Sequence, residues 1–153
     1  MGQTLSRMEE TGNQWATRFA SVPTLDDVRR IALDLPEVEE RPSRRDWRVR
    51  NKPVVWERPL RQADYEALGD DAPQGTIIGI RVPEVADQHA LVQSGPKAVF
   101  ITPHFEGWPA VLVELDRISI EELTELIIDA WLVQAPKRLS NPWLASHGLA
   151  DEG

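Results

Sequence analysis

The fold of this chain is indicated most clearly by the stretch Val99-Phe100-Ile101-Thr102-Pro103-His104-Phe105-Glu106-Gly107-Trp108-Pro109-Ala110-Val111-Leu112-Val113. It begins and ends with an apolar run, and each run predicts a strand. The loop between them is longer than the about two to five residues that a simple hairpin needs. Because this loop carries His104, Phe105 and Trp108, it is either a folding device or a site.

The regions on either side of this hairpin predict an α+β domain. Thr24-x-x-Asp27 and Ser119-x-x-Glu122 fit capping boxes, and the helices that they open end at Pro36 and Pro136. An acidic turn containing Glu37, Glu39 and Glu40 follows the first helix. Strands are predicted at 47–50, 53–57, 76–82, 98–102 and 109–115, and short helices at 61–68 and 84–94, the second with Val85, Leu91 and Val92 facing inward. We expect an antiparallel β-sheet meander flanked by N- and C-terminal helices on one face.

Length and composition limit the organisation and the chemistry. A chain of 153 residues is typical of one domain; we predict a polar N-terminal extension over residues 1–22, an α+β domain over 23–139 and a C-terminal tail over 140–153. The absence of cysteine excludes disulfides, thiolate metal sites and a cysteine nucleophile. No apolar run approaches the about 18 residues of a membrane span, which predicts a cytoplasmic protein without a membrane partner.

Catalytic and cofactor motifs are not recognisable in the sequence. It contains no glycine-rich phosphate loop and no Ser-His-Asp set in a familiar context. His89, His104 and His147 do not have the spacing of metal ligands. We therefore predict a non-enzymatic protein without catalytic residues, a histidine metal site or a cofactor.

Positive charge is concentrated between Arg41 and Arg61, where eight basic residues face two acidic ones, although the whole chain carries a net charge of −8. Arginine grips phosphate and tryptophan stacks on bases, so this hairpin is a candidate site for DNA or another anionic partner. A solvated strand pair is the plainer alternative. Trp47 alternates with the arginines, and if it enters the core only a basic patch remains. The candidate nucleic-acid-binding residues are Arg44, Arg45, Arg48, Arg50, Lys52 and Arg58, with Lys137 and Arg138 as further candidates.

The loop from Thr102 to Trp108 supports a second hypothesis, a module that binds a small ligand or a protein. In this hypothesis His104, Phe105 and Trp108 line an apolar pocket. The plainer interpretation of His104 is a structural imidazole that hydrogen-bonds across the hairpin and fixes the turn, and ligand contact is the alternative. Exposed convergent arginines would favour the DNA hypothesis, whereas a concave pocket beside His104 would favour the ligand hypothesis.

Several blocks of the chain, in order, resemble the MmcQ/YjbR-like family of small bacterial proteins. These blocks are Asp26-Asp27-Val28-Arg29-Arg30-Ile31-Ala32-Leu33, Val55-Trp56-Glu57-Arg58-Pro59-Leu60, Ala67-Leu68-Gly69, Ile78-Gly79-Ile80-Arg81-Val82, the hairpin above, Asp129-Ala130-Trp131 and Ala135-Pro136-Lys137-Arg138-Leu139. The resemblance covers residues 24–139. It implies a frataxin (CyaY)-like fold and a DNA-binding label, and it supplies no catalytic residues.

The resemblance to frataxin-like proteins also implies a third hypothesis, because such proteins bind iron weakly through acidic residues of the first helix and its edge. Carboxylate oxygens suit hard cations. Complementarity to the positive end of the helix is the alternative explanation for acids at this position. The corresponding acidic residues here are Asp26, Asp27, Asp34, Glu37, Glu39 and Glu40.

Overall fold

The computed structural model describes residues 22–149. Its helices are α1 (Leu25–Leu33), α2 (Gln62–Leu68), α3 (Val85–Ser94), α4 (Ile120–Gln134) and α5 (Lys137–Ser146). Its strands are β1 (Val38–Arg41), β2 (Asp46–Val49), β3 (Lys52–Glu57), β4 (Ile77–Arg81), β5 (Val99–Phe100) and β6 (Ala110–Glu114). The six strands form one sheet in the order β1-β2-β3-β4-β6-β5, with antiparallel neighbours throughout. The α+β antiparallel architecture is confirmed.

The register of the strands separates the sheet into two faces. Cross-strand partners share a face, so the row Trp47, Val55, Ile80 and Val111 lies on one side. We call this side the helix face, because its residues belong to the main core with α1 and α4. The adjacent row lies on the opposite side, which we call the open face, and consists of Asp46, Trp56, Gly79, Leu112 and Phe100.

The helix face is closed by helices whose starts are capped as the sequence predicts. Thr24 and Ser119 both form complete capping boxes. Trp131 of α4 is fully buried, and its indole N–H donates to the Pro36 carbonyl at 3.0 Å. Gln134 donates to the Pro53 carbonyl at 2.8 Å. These bonds satisfy polar groups that burial would otherwise penalise.

The open face carries a smaller apolar cluster that a loop covers. Phe105 lies in this cluster with Ile77, Ala110 and Leu112, and Trp56 packs against it. Trp56 crosses directly over Gly79, where a Cβ would come within 2.4 Å of the indole ring. Glycine at this position therefore provides the space that the tryptophan occupies.

The structure corrects three local expectations. The predicted acidic turn forms the edge strand β1, in which Glu40 pairs with Trp47 across the sheet. Residues 140–146, predicted as tail, continue α5, and Trp143 packs against Trp131 with ring centres 5.5 Å apart. In α3 the buried side chain is Gln88, whereas Val92 is exposed. The predicted N-terminal extension lies outside the described residues except for its last residue, at position 22.

Candidate functional site

A cleft of about 890 Å³ opens on the open face, between the β2–β3 end of the sheet and the loop that follows β5. It brings together side chains from both sequence hypotheses: three candidate arginines and all three candidate loop residues. We call it the open-face cleft. Its lining residues are Arg44, Asp46, Arg48, Pro53, Trp56, Glu57, Arg58, Pro59, Leu60, Arg61, His104, Phe105 and Trp108.

One wall of the open-face cleft is aromatic. The rings of Trp56 and Trp108 meet edge to face with centres 6.1 Å apart, and the Phe105 ring lies 6.0 Å from Trp108. Phe105 is buried, whereas Trp108 is 43% exposed. Edge-to-face contacts favour such clusters beyond the area that they bury, so this wall presents a partly exposed, ordered aromatic surface.

Arg58 supplies a buried cation beside that wall. It is 7% exposed and its guanidinium carbon lies 5.3 Å from the centre of the Phe105 ring. Its Nη1 lies 3.1 Å from Oδ2 of Asp64, and this carboxylate compensates the buried positive charge of the guanidinium. Burial alone would raise the pKa of Asp64, but the hydrogen bond from the Arg61 backbone N–H and the charge of Arg58 hold that pKa below its ordinary value.

The cations at the mouth of the cleft differ in how far they are already paired. Arg48 donates to Asp46 at 2.8 Å. Arg44 and Arg61 are exposed, and neither guanidinium group has a carboxylate oxygen within 4.0 Å in residues 22–149. The cleft therefore combines two cations that have no acidic partner within residues 22–149 with a buried cation and an aromatic wall.

The remaining candidate basic residues do not line the cleft. Arg45 lies 3.9 Å from Glu57, and Arg50 lies 2.7 Å from Glu37. The hydrogen bond from Arg50 lowers the pKa of Glu37. Trp47 is buried on the helix face, so it adds no aromatic surface to the basic patch. Lys52, Lys137 and Arg138 are exposed.

Gln88 holds the loop that forms the aromatic wall, and sequence reasoning missed it. Its side-chain amide lies 2.9 Å from the Phe105 carbonyl, 2.7 Å from that of Trp108 and 2.7 Å from that of Ala110. The His104 side chain has no hydrogen-bond partner in the described part of the chain, so the predicted hydrogen bond across the hairpin is not formed there. The spacing of the apolar residues could have identified Gln88, because position 88 lies three residues from both Val85 and Leu91 and so on the same face of the helix.

The acidic residues of α1 and its edge do not form a cation site in the structure. Asp27 serves the α1 capping box and pairs with Arg30, while Glu40 pairs with Arg29. In residues 22–149 no group of three or more His, Asp or Glu side chains is placed to hold a metal ion. The carboxylate hypothesis consequently gains no geometric support.

A second concavity of about 580 Å³ lies between α3 and α4 on the helix-covered side. Leu91, Leu126 and Leu132 line it, together with Asp129. Asp129 is exposed, but partial desolvation of its carboxylate and the neighbouring charge of Glu125 raise its pKa. This groove lacks the aromatic cluster and the clustered arginines of the open-face cleft.

Within residues 22–149, no helix has the length and apolar character needed to cross a membrane.

Comparison with known proteins places the chain in a family. Residues 33–133 match the model of the YjbR family. Uncharacterized proteins of Mycobacterium bovis (Mb2600) and Mycobacterium tuberculosis (Rv2570) are each 48% identical over 128 residues, covering 82% of this chain and 98% of the relative. The crystal structure of Deinococcus radiodurans protein DR2400, a DUF419 domain, aligns with a TM-score of 0.55 at 20% identity and covers 85% of this chain and 93% of that one. The chain belongs to the YjbR family.

Proposed function

We propose that the protein binds a small organic anion with a planar ring in the open-face cleft. The observation that carries the proposal is the meeting of Arg44 and Arg61 with the Trp56–Trp108 wall in one concave site. Ligand sites are concave and mostly apolar with a few polar groups that fix orientation. The ring would pack on the aromatic wall while its anionic group faces the arginines.

Charge pairing supports this proposal over DNA binding by the basic hairpin. Duplex binding gains its affinity from cations that are free to neutralise phosphates. Arg45, Arg48 and Arg50 already pair with carboxylates, and Arg58 is buried with Asp64. Of the six candidate nucleic-acid-binding residues, Arg44 and Lys52 are the exposed ones without an acidic partner within 4.0 Å in the described chain.

The proposal is tested with 2-naphthoate and 2-naphthamide, which share a ring system and differ in charge. Two-dimensional NMR of the full chain follows the indole N–H signals of Trp56 and Trp108 during each titration. We expect saturable shifts with 2-naphthoate and about tenfold weaker binding of 2-naphthamide. Added salt should weaken 2-naphthoate binding, because Arg44 and Arg61 are exposed.

Two double variants locate the charge that matters. Arg44→Gln/Arg61→Gln removes the two exposed arginines of the cleft and should weaken 2-naphthoate binding about tenfold. Arg50→Gln/Lys52→Gln removes the same charge outside the cleft and should leave binding within about twofold. Equal binding of the two probes, or equal losses in the two variants, would refute the proposal. Salt-sensitive binding of a short DNA duplex that is lost only in Arg50→Gln/Lys52→Gln would instead support the basic hairpin as a DNA site.

A further inference from the structure

Gln88 makes an unusual set of contacts for a helical glutamine. It is 0% exposed, and its Nε2 lies within 2.9 Å of three backbone carbonyl oxygens, those of Phe105, Trp108 and Ala110. The amide has two hydrogens, so at least one of them is shared between two acceptors. Its Oε1 is buried and has no hydrogen-bond partner among the described residues.

The three carbonyls determine the orientation of the amide. If the amide were reversed, Oε1 would face three other acceptors, which is repulsive. An unpartnered buried oxygen is costly, and the fold retains it here in exchange for three donated contacts. The contacts of Gln88 with the loop after β5 therefore come with a local energetic cost in α3, that of a buried oxygen without a partner.

The contacts of Gln88 fall on the residues that shape the aromatic wall. The Phe105 carbonyl also accepts from the Trp108 N–H at 3.0 Å, and the Trp108 carbonyl accepts from the Ala110 N–H at 2.7 Å. Gly107, between them, has a φ of +81°, which glycine adopts readily. Gln88 therefore ties together a tight turn whose own hydrogen bonds are local.

We infer that Gln88 is a positioning residue that orders the loop from Phe105 to Ala110 and so builds the aromatic wall of the open-face cleft. It acts from α3, behind the wall, and does not line the cleft. This inference rests on the proposed function for its ligand readout, whereas loop order is measured without any ligand.

The test compares two buried glutamines. Gln88→Met keeps an unbranched side chain of similar length and removes the donors. Gln134→Met is the matched control, because Gln134 is also buried and donates one bond, to Pro53 on the helix face. Amide hydrogen exchange of Phe105 and Trp108 is measured relative to Ile78 and Ile80 of β4, and 2-naphthoate affinity is measured by NMR.

In Gln88→Met we expect the Phe105 and Trp108 amides to exchange about tenfold faster relative to β4, and 2-naphthoate to bind about tenfold more weakly. Gln134→Met should leave the relative exchange rate of the loop and the affinity for 2-naphthoate within about twofold of the wild-type values. Relative loop exchange that is unchanged in Gln88→Met, or equally faster in both variants, would overturn the inference. Failure of 2-naphthoate to bind the wild type would refute the proposed function alone, because loop exchange still reports on Gln88.

A measurement on the wild type keeps the inference testable if Gln88→Met does not fold. The side-chain NH₂ protons of Gln88 should exchange far more slowly than those of Gln62, which is exposed at the start of α2. Similar exchange of the two side-chain amides would show that the three contacts do not persist in solution, and the inference would fail.

Discussion

The two faces of the sheet are built from the same strands, but one face is packed beneath helices and the other lines a cleft. On the helix face, Trp47, Val49 and Val55 are buried beneath α1 and α4. On the open face, Asp46, Arg48 and Trp56 from the same strands line a cleft under a loop. Because side chains alternate along a strand, each strand contributes both to a closed core and to an open site. In the proposed function, core packing and ligand binding therefore depend on alternate residues of these strands.

Two tryptophans measure this division most directly. Trp131 is fully buried on the helix side, whereas Trp108 is 43% exposed on the open face. Trp131→Ala removes a core ring and a hydrogen bond and should lower the free energy of unfolding by about 3–5 kcal/mol. Trp108→Ala should lower it by about 0.5–1.5 kcal/mol. Urea unfolding followed by circular dichroism compares the two, and equal losses would contradict the division.

The buried pair Arg58–Asp64 is expected to have the next largest effect. The pKa of Asp64 lies below its ordinary value of 3.8, so ionised Asp64 stabilises the fold above that pH. This contribution is lost as the pH falls below 3.8 and through the folded pKa. Asp64→Asn should therefore cost about 1.5–3 kcal/mol at neutral pH.

Unfolding at neutral and at acidic pH checks this prediction. The difference between wild type and Asp64→Asn should shrink at acidic pH, because the wild type also loses its charge there. Asp70→Asn, at an exposed position after α2, is the control and should cost less than about 0.5 kcal/mol. A constant difference across pH would show that Asp64 contributes through packing alone.

Two glycines lie close to side chains that differ in how easily they can move. A Cβ at Gly79 would lie 2.4 Å from the Trp56 ring, and one at Gly75 would lie 2.4 Å from the Asp116 carboxylate. Gly79→Ala should cost about 1–3 kcal/mol, because a ring held by neighbours must move. Gly75→Ala should cost less, since the exposed Asp116 side chain can swing away.

Removal of the ring tests the cause of the Gly79→Ala effect. In a Trp56→Leu background, Gly79→Ala should lose most of its cost, and a double-mutant cycle measures the coupling between the two positions. An unchanged cost would mean that β4 requires glycine for a backbone reason unrelated to Trp56.

The sequence predicted the architecture well because local signals agreed with tertiary packing. The Thr24 and Ser119 capping boxes, the strand alternation at Trp47 and the loop after β5 each identified an element. The edge strand β1 was missed because its acidic residues have low strand propensity, and its pairing with β2 is a tertiary effect. The frataxin-like topology and the cytoplasmic location stay predictions.

The candidate site was only partly predictable. Arg58 and Phe105 were named for two separate hypotheses, and the sequence could not show that the fold places the guanidinium 5.3 Å from the ring. Ion pairs such as Arg50–Glu37 join residues far apart in the chain, so the count of arginines overstated the free charge. Gln88 was missed because a polar residue in a helix usually faces solvent.

The smallest effect is expected on the helix-covered side, at Asp129 in the groove between α3 and α4. Asp129 is exposed, but partial desolvation of its carboxylate and the charge of Glu125 raise its pKa above 3.8. Its protonated form is therefore favoured in the fold, and that advantage is lost as the pH rises through the folded pKa. Because solvent screens this exposed carboxylate, Asp129→Asn should add at most about 0.5 kcal/mol at neutral pH and nothing at acidic pH. Glu125→Gln should give part of this gain in the same unfolding assay. Destabilisation by Asp129→Asn at neutral pH would instead reveal a favourable contact of the carboxylate.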